Sequence, residues 1–253
     1  MSELKYIAFD EESEDIKPAV TSYWTKRAES FFAQRQHELD SPKANKWLNE
    51  IKAKLPAKKP LSILDVGCGA GYFSVLLGHE GHNVTGIDLT GSMIEKANTL
   101  IDMNAPYEGD VRVLVMDAEK PDFSDESFDV VITRNLTWTL PHPIQAYEEW
   151  FRVLKKGGVL LNFDAEYAKG AHNLKNQDNI AHRDIPDALK NECHEIYHML
   201  TISALDRPDW DIEVMQHIGF SEVSADRSFS DRMFDEKDEF YIPDKMFMIY
   251  AKK

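Results

Sequence analysis

His194, Glu195 and His198, in "CHEIYH", spell H-E-x-x-H. On a helix this spacing puts two imidazoles on one face, one turn apart, with a glutamate beside them, which is the zinc-binding arrangement of many metalloproteases. A zinc site needs a third ligand, and Glu213 and Glu222 lie downstream at permissible distances. A second cluster reads differently. "ILDVGCGAGYFS" places Gly67, Gly69 and Gly71 between an apolar run and a helix-like segment. Glycines there let the chain turn sharply and let a ligand approach without a Cβ in the way. The spacing is G-x-G-x-G. The dinucleotide fingerprint needs a glycine at position 72, which is tyrosine, and no G-K-S/T follows as in a P-loop. Asp65, Asp88 and Asp117 close three successive apolar runs. A carboxylate at the second of these positions accepts two hydrogen bonds from a ribose diol. One at the third, flanked by Ala118, would meet an adenine amino group. Single Asp and Gly residues at strand ends are ordinary turn chemistry, but three in order beside a glycine loop describe a nucleoside site.

The elements that must position these groups alternate. Helices are expected over 17–34, with Trp24, Ala28, Phe31 and Phe32 as an apolar stripe, and over 41–55, with Ser41 as N-cap and Pro42 at the first helical position. Strands follow at 61–67, 83–89, 111–117, 127–135 and 158–166, separated by amphipathic helices, the last of which runs 143–155 and stops at Gly157 and Gly158. Apolar strands joined by helices mean a doubly wound, mostly parallel sheet. A helix over 207–219 and two strands, 220–229 and 245–253, end the chain. With no helix of crossover length between them, those strands form an antiparallel pair. The expected fold is therefore α/β: a Rossmann-like seven-stranded sheet, mostly parallel, with a C-terminal antiparallel hairpin. The whole chain, 1–253, reads as one domain with an N-terminal helical cap (1–57) and a helical lid insertion (167–205) after the fifth strand.

Composition narrows the classes. The 253 residues are 43% hydrophobic, enough for a full core. Forty-four acids against 29 bases give a net charge of −15, a field that repels nucleic acid. The acidic start has no basic and apolar leader, and no run approaches the length of a membrane helix. The expectation is a cytoplasmic chain with neither nucleic acid nor membrane as partner. Oligomeric state is open. Cys68 and Cys193 make no disulfide framework.

"ILDVGCGAG", "GIDLTGSMIEKA", "VMDAEKPDFSDESFDVVITRN" and "RVLKKGGVLL" resemble the successive motifs of class I S-adenosylmethionine-dependent methyltransferases over about residues 60–165. "SYWTKRAESF", "RPDWDIEVMQHIGF" and "PDKMFMIYAKK" extend the likeness to a group of small, largely uncharacterised bacterial methyltransferases. The resemblance implies S-adenosylmethionine as cofactor and S-adenosylhomocysteine as product. It implies that Asp65, Gly67, Cys68 and Gly69 cradle the methionine part, Asp88 holds the ribose, and Leu89 and Met93 lie against the adenine. Asp117 and Ala118 would edge the adenine, with Arg134 or Asn135 on the floor near the sulfonium. Tyr23, Trp24 and Arg27 would close over the cofactor, Arg27 pairing its carboxylate.

Methyl transfer from a sulfonium is an in-line displacement, and a base is needed only where the nucleophile must first lose a proton. The N-P-P-Y type sequence of amino-directed methyltransferases is absent after the fourth strand, where "RNLTWTLPHP" stands. A small-molecule acceptor is expected. Trp138 would form an aromatic wall, and His142, Glu166 and Tyr167 are candidate catalytic residues. Asp164 is a further acid at the end of the fifth strand. The insertion holds His172, His182, His194 and His198. As a lid it puts His194 and His198 toward substrate and no metal in the site. The alternatives are a cofactor-binding protein without catalysis and a zinc hydrolase through His194 and His198.

Overall fold

The computed structural model of the protein describes residues 16–167 and 179–253. Helices α1 (Ile16–Leu39) and α2 (Pro42–Lys52) precede the sheet. The Ser41 hydroxyl accepts from the Lys43 N–H at 3.1 Å, with Pro42 in the first turn, so α2 starts where its cap residues place it. Then follow β1 (Ser62–Val66), α3 (Tyr72–His79), β2 (Asn83–Asp88), α4 (Gly91–Met103), β3 (Val111–Val115), β4 (Phe128–Arg134), α5 (Pro143–Val153) and β5 (Leu154–Ala165). The chain ends with α6 (Asp187–Met199), α7 (Asp209–Ile218), β6 (Glu222–Asp226), the short α8 (Phe229–Met233) and β7 (Met246–Lys252).

The seven strands lie in the order β3-β2-β1-β4-β5-β7-β6. β1 to β5 pair in parallel, and β7 runs antiparallel to both β5 and β6. The expected mixed sheet and its closing antiparallel pair are thus present. Alternation along each strand sorts side chains onto two covered faces. Ile63, Val130 and Leu161 join Trp47, Phe73 and Phe163 on one side. Leu64, Val131 and Leu160 join Tyr147, Trp150 and Met215 on the other. A sheet buried on both faces needs near-continuous apolar strands, which is what β1, β4 and β5 supply.

Two boundaries differ most from the sequence reading. Helix α1 runs five residues past 34, because Arg35 and Glu38 do not begin a polar loop. They are buried and joined by an ion pair at 2.5 Å. The chain passes from α5 into β5 at Leu154, four residues before Gly158. The glycine pair is absorbed by a register shift between Phe128 and Val130, with Gly157 at a φ of 76°. Of the lid insertion, 168–178 with His172 lies outside the described residues. The rest folds as α6 with single helical turns at Ile180–His182 and Thr201–Ala204.

Candidate functional site

The carboxyl ends of β1, β2, β4 and β5 open on one cavity, the crevice where open α/β sheets take ligands. Helix α1 packs against both α4 and α6 and crosses above it. Counted out to its mouth, the cavity holds about 1750 Å³.

The glycine loop forms its base. Gly67, Gly69 and Gly71 all have positive φ, at 64°, 53° and 84°. A Cβ on Gly67 would stand 2.7 Å from the Leu136 side chain, and one on Gly69 would stand 3.0 Å from the Phe31 ring. These positions therefore need glycine for conformation and for space. Asp88, at the end of β2, fixes the loop. Its Oδ2 accepts the Gly69 N–H at 3.0 Å and its Oδ1 accepts the Thr90 N–H at 2.8 Å. Each oxygen keeps a lone pair for a ligand hydroxyl. Cys68 is buried, and burial pushes its thiol well up, so it is a small loop residue and no nucleophile.

Asp65 is buried at the end of β1 and accepts from Ser74 Oγ at 2.8 Å. Burial pushes its carboxyl up to about 7, against the hydrogen bonds from Ser74 that pull it down. The folded protein therefore holds a proton between about pH 4 and 7 that the unfolded chain has released. Stability from this group declines as pH rises through that window. Thermal melts of the ligand-free protein at pH 5 and pH 8 should show a smaller drop in Asp65→Asn than in the wild type. Equal drops would remove the assigned shift.

Asp117 and Ala118 both line the cavity, but Asp117 is engaged by a cation the sequence reading did not foresee. Lys17 Nζ on α1 lies 2.6 Å from Asp117 Oδ2 and 2.5 Å from Glu119 Oε2. Glu119 is itself buried and accepts the His142 N–H at 2.6 Å, with His142 Nδ1 at 3.0 Å. His142 is thus held on Glu119 at the start of α5 and does not line the cavity, which corrects its candidacy as a base. Glu166 is likewise corrected. Its Oε1 accepts the Arg207 N–H at 3.1 Å, in a small recess beside the main cavity. Tyr167 does face the cavity. Its hydroxyl donates to Asn135 Oδ1 at 2.8 Å, and burial beside Asp164 and Asp244 drives its ionisation well up, so it is a donor and no base. Asn135 sits at a φ of 56°, where a short polar side chain is tolerated.

Leu89, Met93, Tyr23, Trp24, Arg27 and Trp138 line the cavity, as expected. Trp138 meets Tyr167 and Tyr197 edge-on at 5.6 and 4.6 Å. From α6 the cavity receives Cys193 and Tyr197. His194 and His198 occupy another face, with ring centroids 4.5 Å apart, and neither lines the cavity. The helix buries its 193, 196 and 197 stripe, which leaves His198 outside and corrects both as substrate-lining residues. Among the described residues no group of three potential metal ligands exists. Among the described residues the H-E-x-x-H pair meets no third ligand of the kind a zinc site requires.

Sequence reading missed Arg35 and Glu38, and it named Arg134 without the partner that holds it. Glu38 accepts both Arg134 nitrogens at 3.2 and 3.1 Å, and the Arg134 guanidinium stacks on Trp47 at 4.0 Å. The sequence signal was two opposite charges three residues apart, just past the expected end of the helix.

A seven-stranded sheet of this order, a glycine loop after β1 and a carboxylate at the end of β2 define the class I fold of S-adenosylmethionine-dependent methyltransferases. Residues 64–162 match the family described as a methyltransferase domain. YqeM of Bacillus subtilis strain 168, named as a methyltransferase, is 34% identical over 46% of this chain and 47% of its own. The ubiquinone biosynthesis O-methyltransferase of Pseudomonas putida is 30% identical over 55% of this chain and 56% of its own. A Bacillus halodurans crystal structure described as a methyltransferase superposes with a TM-score of 0.57 at 20% identity, covering 81% of this chain and 98% of its own. The chain spans about half the length of the curated relatives it matches.

Proposed function

We propose that the protein is an S-adenosylmethionine-dependent methyltransferase acting on a small-molecule acceptor. The observation that carries this is Asp88, whose two oxygens tie down the glycine loop and keep lone pairs toward the cavity. The residues fit a zwitterionic nucleoside. Asp88 faces a ribose diol, Leu89 and Met93 offer apolar contact to a base, and Asp65 with the glycine loop offers room and charge for an amino-acid tail. Such a cofactor supplies an already activated methyl group. The chain then aligns the acceptor and excludes water, and alignment alone lowers a barrier by about 7–11 kcal/mol at best. Tyr23, Trp138, Tyr167 and Tyr197 form an aromatic chamber at the ends of β4 and β5 suited to that task.

The cavity is roofed by α1 and α6, which supports a small acceptor over a polymer. The Pseudomonas putida relative is named for ubiquinone biosynthesis, the making of a small molecule. No described helix is long and apolar enough to cross a membrane. Incubating the protein with methyl-labelled S-adenosylmethionine and a cell extract, then identifying the labelled compound, tests the reading. Label on no small molecule, together with tight cofactor binding, would favour a non-catalytic binding protein. Because His142 is held on Glu119 and off the cavity, His142→Ala should keep the labelling rate within about threefold, below the roughly 10²–10⁴-fold typical of losing an acid–base group. A hundredfold loss would restore His142 as a base.

A further inference from the structure

The charges on the two sides of α1 are not equivalent. At the end near the glycine loop, Arg35 lies 4.9 Å above the Phe31 ring and 5.7 Å from the Tyr72 ring. Phe31 is the residue that crowds Gly69, and Tyr72 begins α3 directly after the loop. Arg35 and Arg134 share one carboxylate, Glu38, so this end carries one guanidinium in excess. Two turns earlier, Arg27 is 4% exposed and lines the same cavity. Its charged neighbourhood is Tyr23 and Cys193, on the side where α6 closes the chamber. No carboxylate among the described residues pairs with it, and its Nε has no hydrogen-bond partner. A buried cation costs several kcal/mol unless an anion reaches it. His182, whose Nδ1 is also buried without a partner, lines the same cavity, and burial, with the charges of both arginines, holds it neutral, its value pulled down to about 3.

One cofactor carboxylate cannot serve both ends. We propose that the acceptor is a small organic acid whose anionic group is clamped by Arg27 beside His182, while the cofactor carboxylate falls to Arg35 at the glycine-loop end. This rests on the methyltransferase reading above and moves Arg27 from the cofactor, where family resemblance put it, to the acceptor. The planar guanidinium suits a carboxylate or phosphate, which it grips with two parallel hydrogen bonds. Ile185, Phe240 and Ile242 wall the same chamber, so the acid has an apolar body. The clamped group is a handle and not the methyl-accepting atom, so the methylated product keeps its negative charge.

Three measurements on the full chain test this. First, S-adenosylhomocysteine is titrated into wild type, Arg27→Gln and Arg35→Gln. Arg35→Gln should weaken binding about tenfold or more, as expected for a lost hydrogen bond to a charged group. Arg27→Gln should stay within about threefold, which also shows that it folds. Second, the S-adenosylhomocysteine complex is titrated with benzoate, phenyl phosphate and benzamide, read by tryptophan fluorescence from Trp24 and Trp138. At least one anion should bind about tenfold more tightly than benzamide in wild type. The preference should vanish in Arg27→Gln and partly return in Arg27→Lys. The two anions separate a carboxylate from a phosphate handle. Third, the labelled product from extract should be retained on an anion-exchange resin. A neutral labelled product overturns the proposal. So does equal or absent binding of all three probes at millimolar concentration, or Arg27→Gln weakening the cofactor as much as Arg35→Gln. Failure of wild type to bind S-adenosylhomocysteine at all would instead remove the methyltransferase reading itself.

Discussion

Asp88→Ala should weaken S-adenosylhomocysteine binding by at least about 100-fold, measured by isothermal titration. Two ribose hydroxyls donating to a carboxylate are each worth about 1.5–3 kcal/mol, and the smaller sum already reaches that factor. The loss has a second source. Without Asp88 the Gly69 and Thr90 N–H groups lose their acceptor, and Thr90 is buried. The loop then no longer has a fixed shape to present to the ligand. Asp88→Asn separates the sources, because an amide keeps one acceptor oxygen. It should retain one of the two backbone bonds and fall between alanine and wild type. Burial raises the Asp88 carboxyl while the Thr90 and Gly69 N–H groups lower it, so the group is poised by the same bonds that hold the loop. Alanine binding the cofactor within threefold of wild type would show that the ribose site lies elsewhere.

The sequence made this end of the site legible because its signals are local. A glycine with positive φ, an acid at a strand end and the helix after it lie within about ten residues, and each obeys short-range sterics. The parallel sheet was legible for the same reason: strand and helix periods are local, and the connection rule for parallel strands does the rest. What failed depends on rotation about a helix axis and on distant partners. The H-E-x-x-H spacing places His194 and His198 on one face of α6 but does not say which face turns inward. Cys193, Ile196 and Tyr197 decide that, because burying their apolar surface outweighs burying imidazoles. His142 follows a strand end, as a catalytic base would, yet Glu119, 23 residues earlier, claims its ring. Arg35 and Glu38 lie just past the helix expected over 17–34. Only the approach of Arg134 from β4, 96 residues from Glu38, makes them a buried cluster. Long-range charge pairing leaves no periodic trace, so this buried cluster at the glycine-loop end of the cavity had to be seen in three dimensions.

The largest stability effect is expected behind the chamber, at Arg207. This buried guanidinium lies 2.9 Å from Asp164 Oδ2 and 2.9 Å from Asp211 Oδ1, and all three residues are removed from solvent. Asp211 Oδ1 also accepts the Tyr147 hydroxyl at 2.5 Å, and Asn162 Nδ2 donates to that hydroxyl and to Thr137 Oγ1, both at 3.0 Å. Asp164 Oδ2 accepts the Trp138 N–H at 3.0 Å, so the network holds the turn that sets Trp138 into the cavity wall. Arg207→Met fills similar volume but leaves two buried carboxylates without a cation. Breaking a buried pair in this way costs about 3–5 kcal/mol, which for a chain of this size lowers Tm by roughly 10 °C. The sign with pH is specific. In the variant the Asp164 carboxyl, already raised by burial against the pull of Arg207, rises further because that cation is gone. The native variant then keeps a proton that the unfolded chain releases, and its stability falls as pH rises above about 4. The gap to wild type should therefore narrow in melts at pH 5 and widen at pH 8. A gap that is constant with pH would assign the loss to packing of the long side chain, and a gap under about 1 kcal/mol would show that solvent reaches the pair.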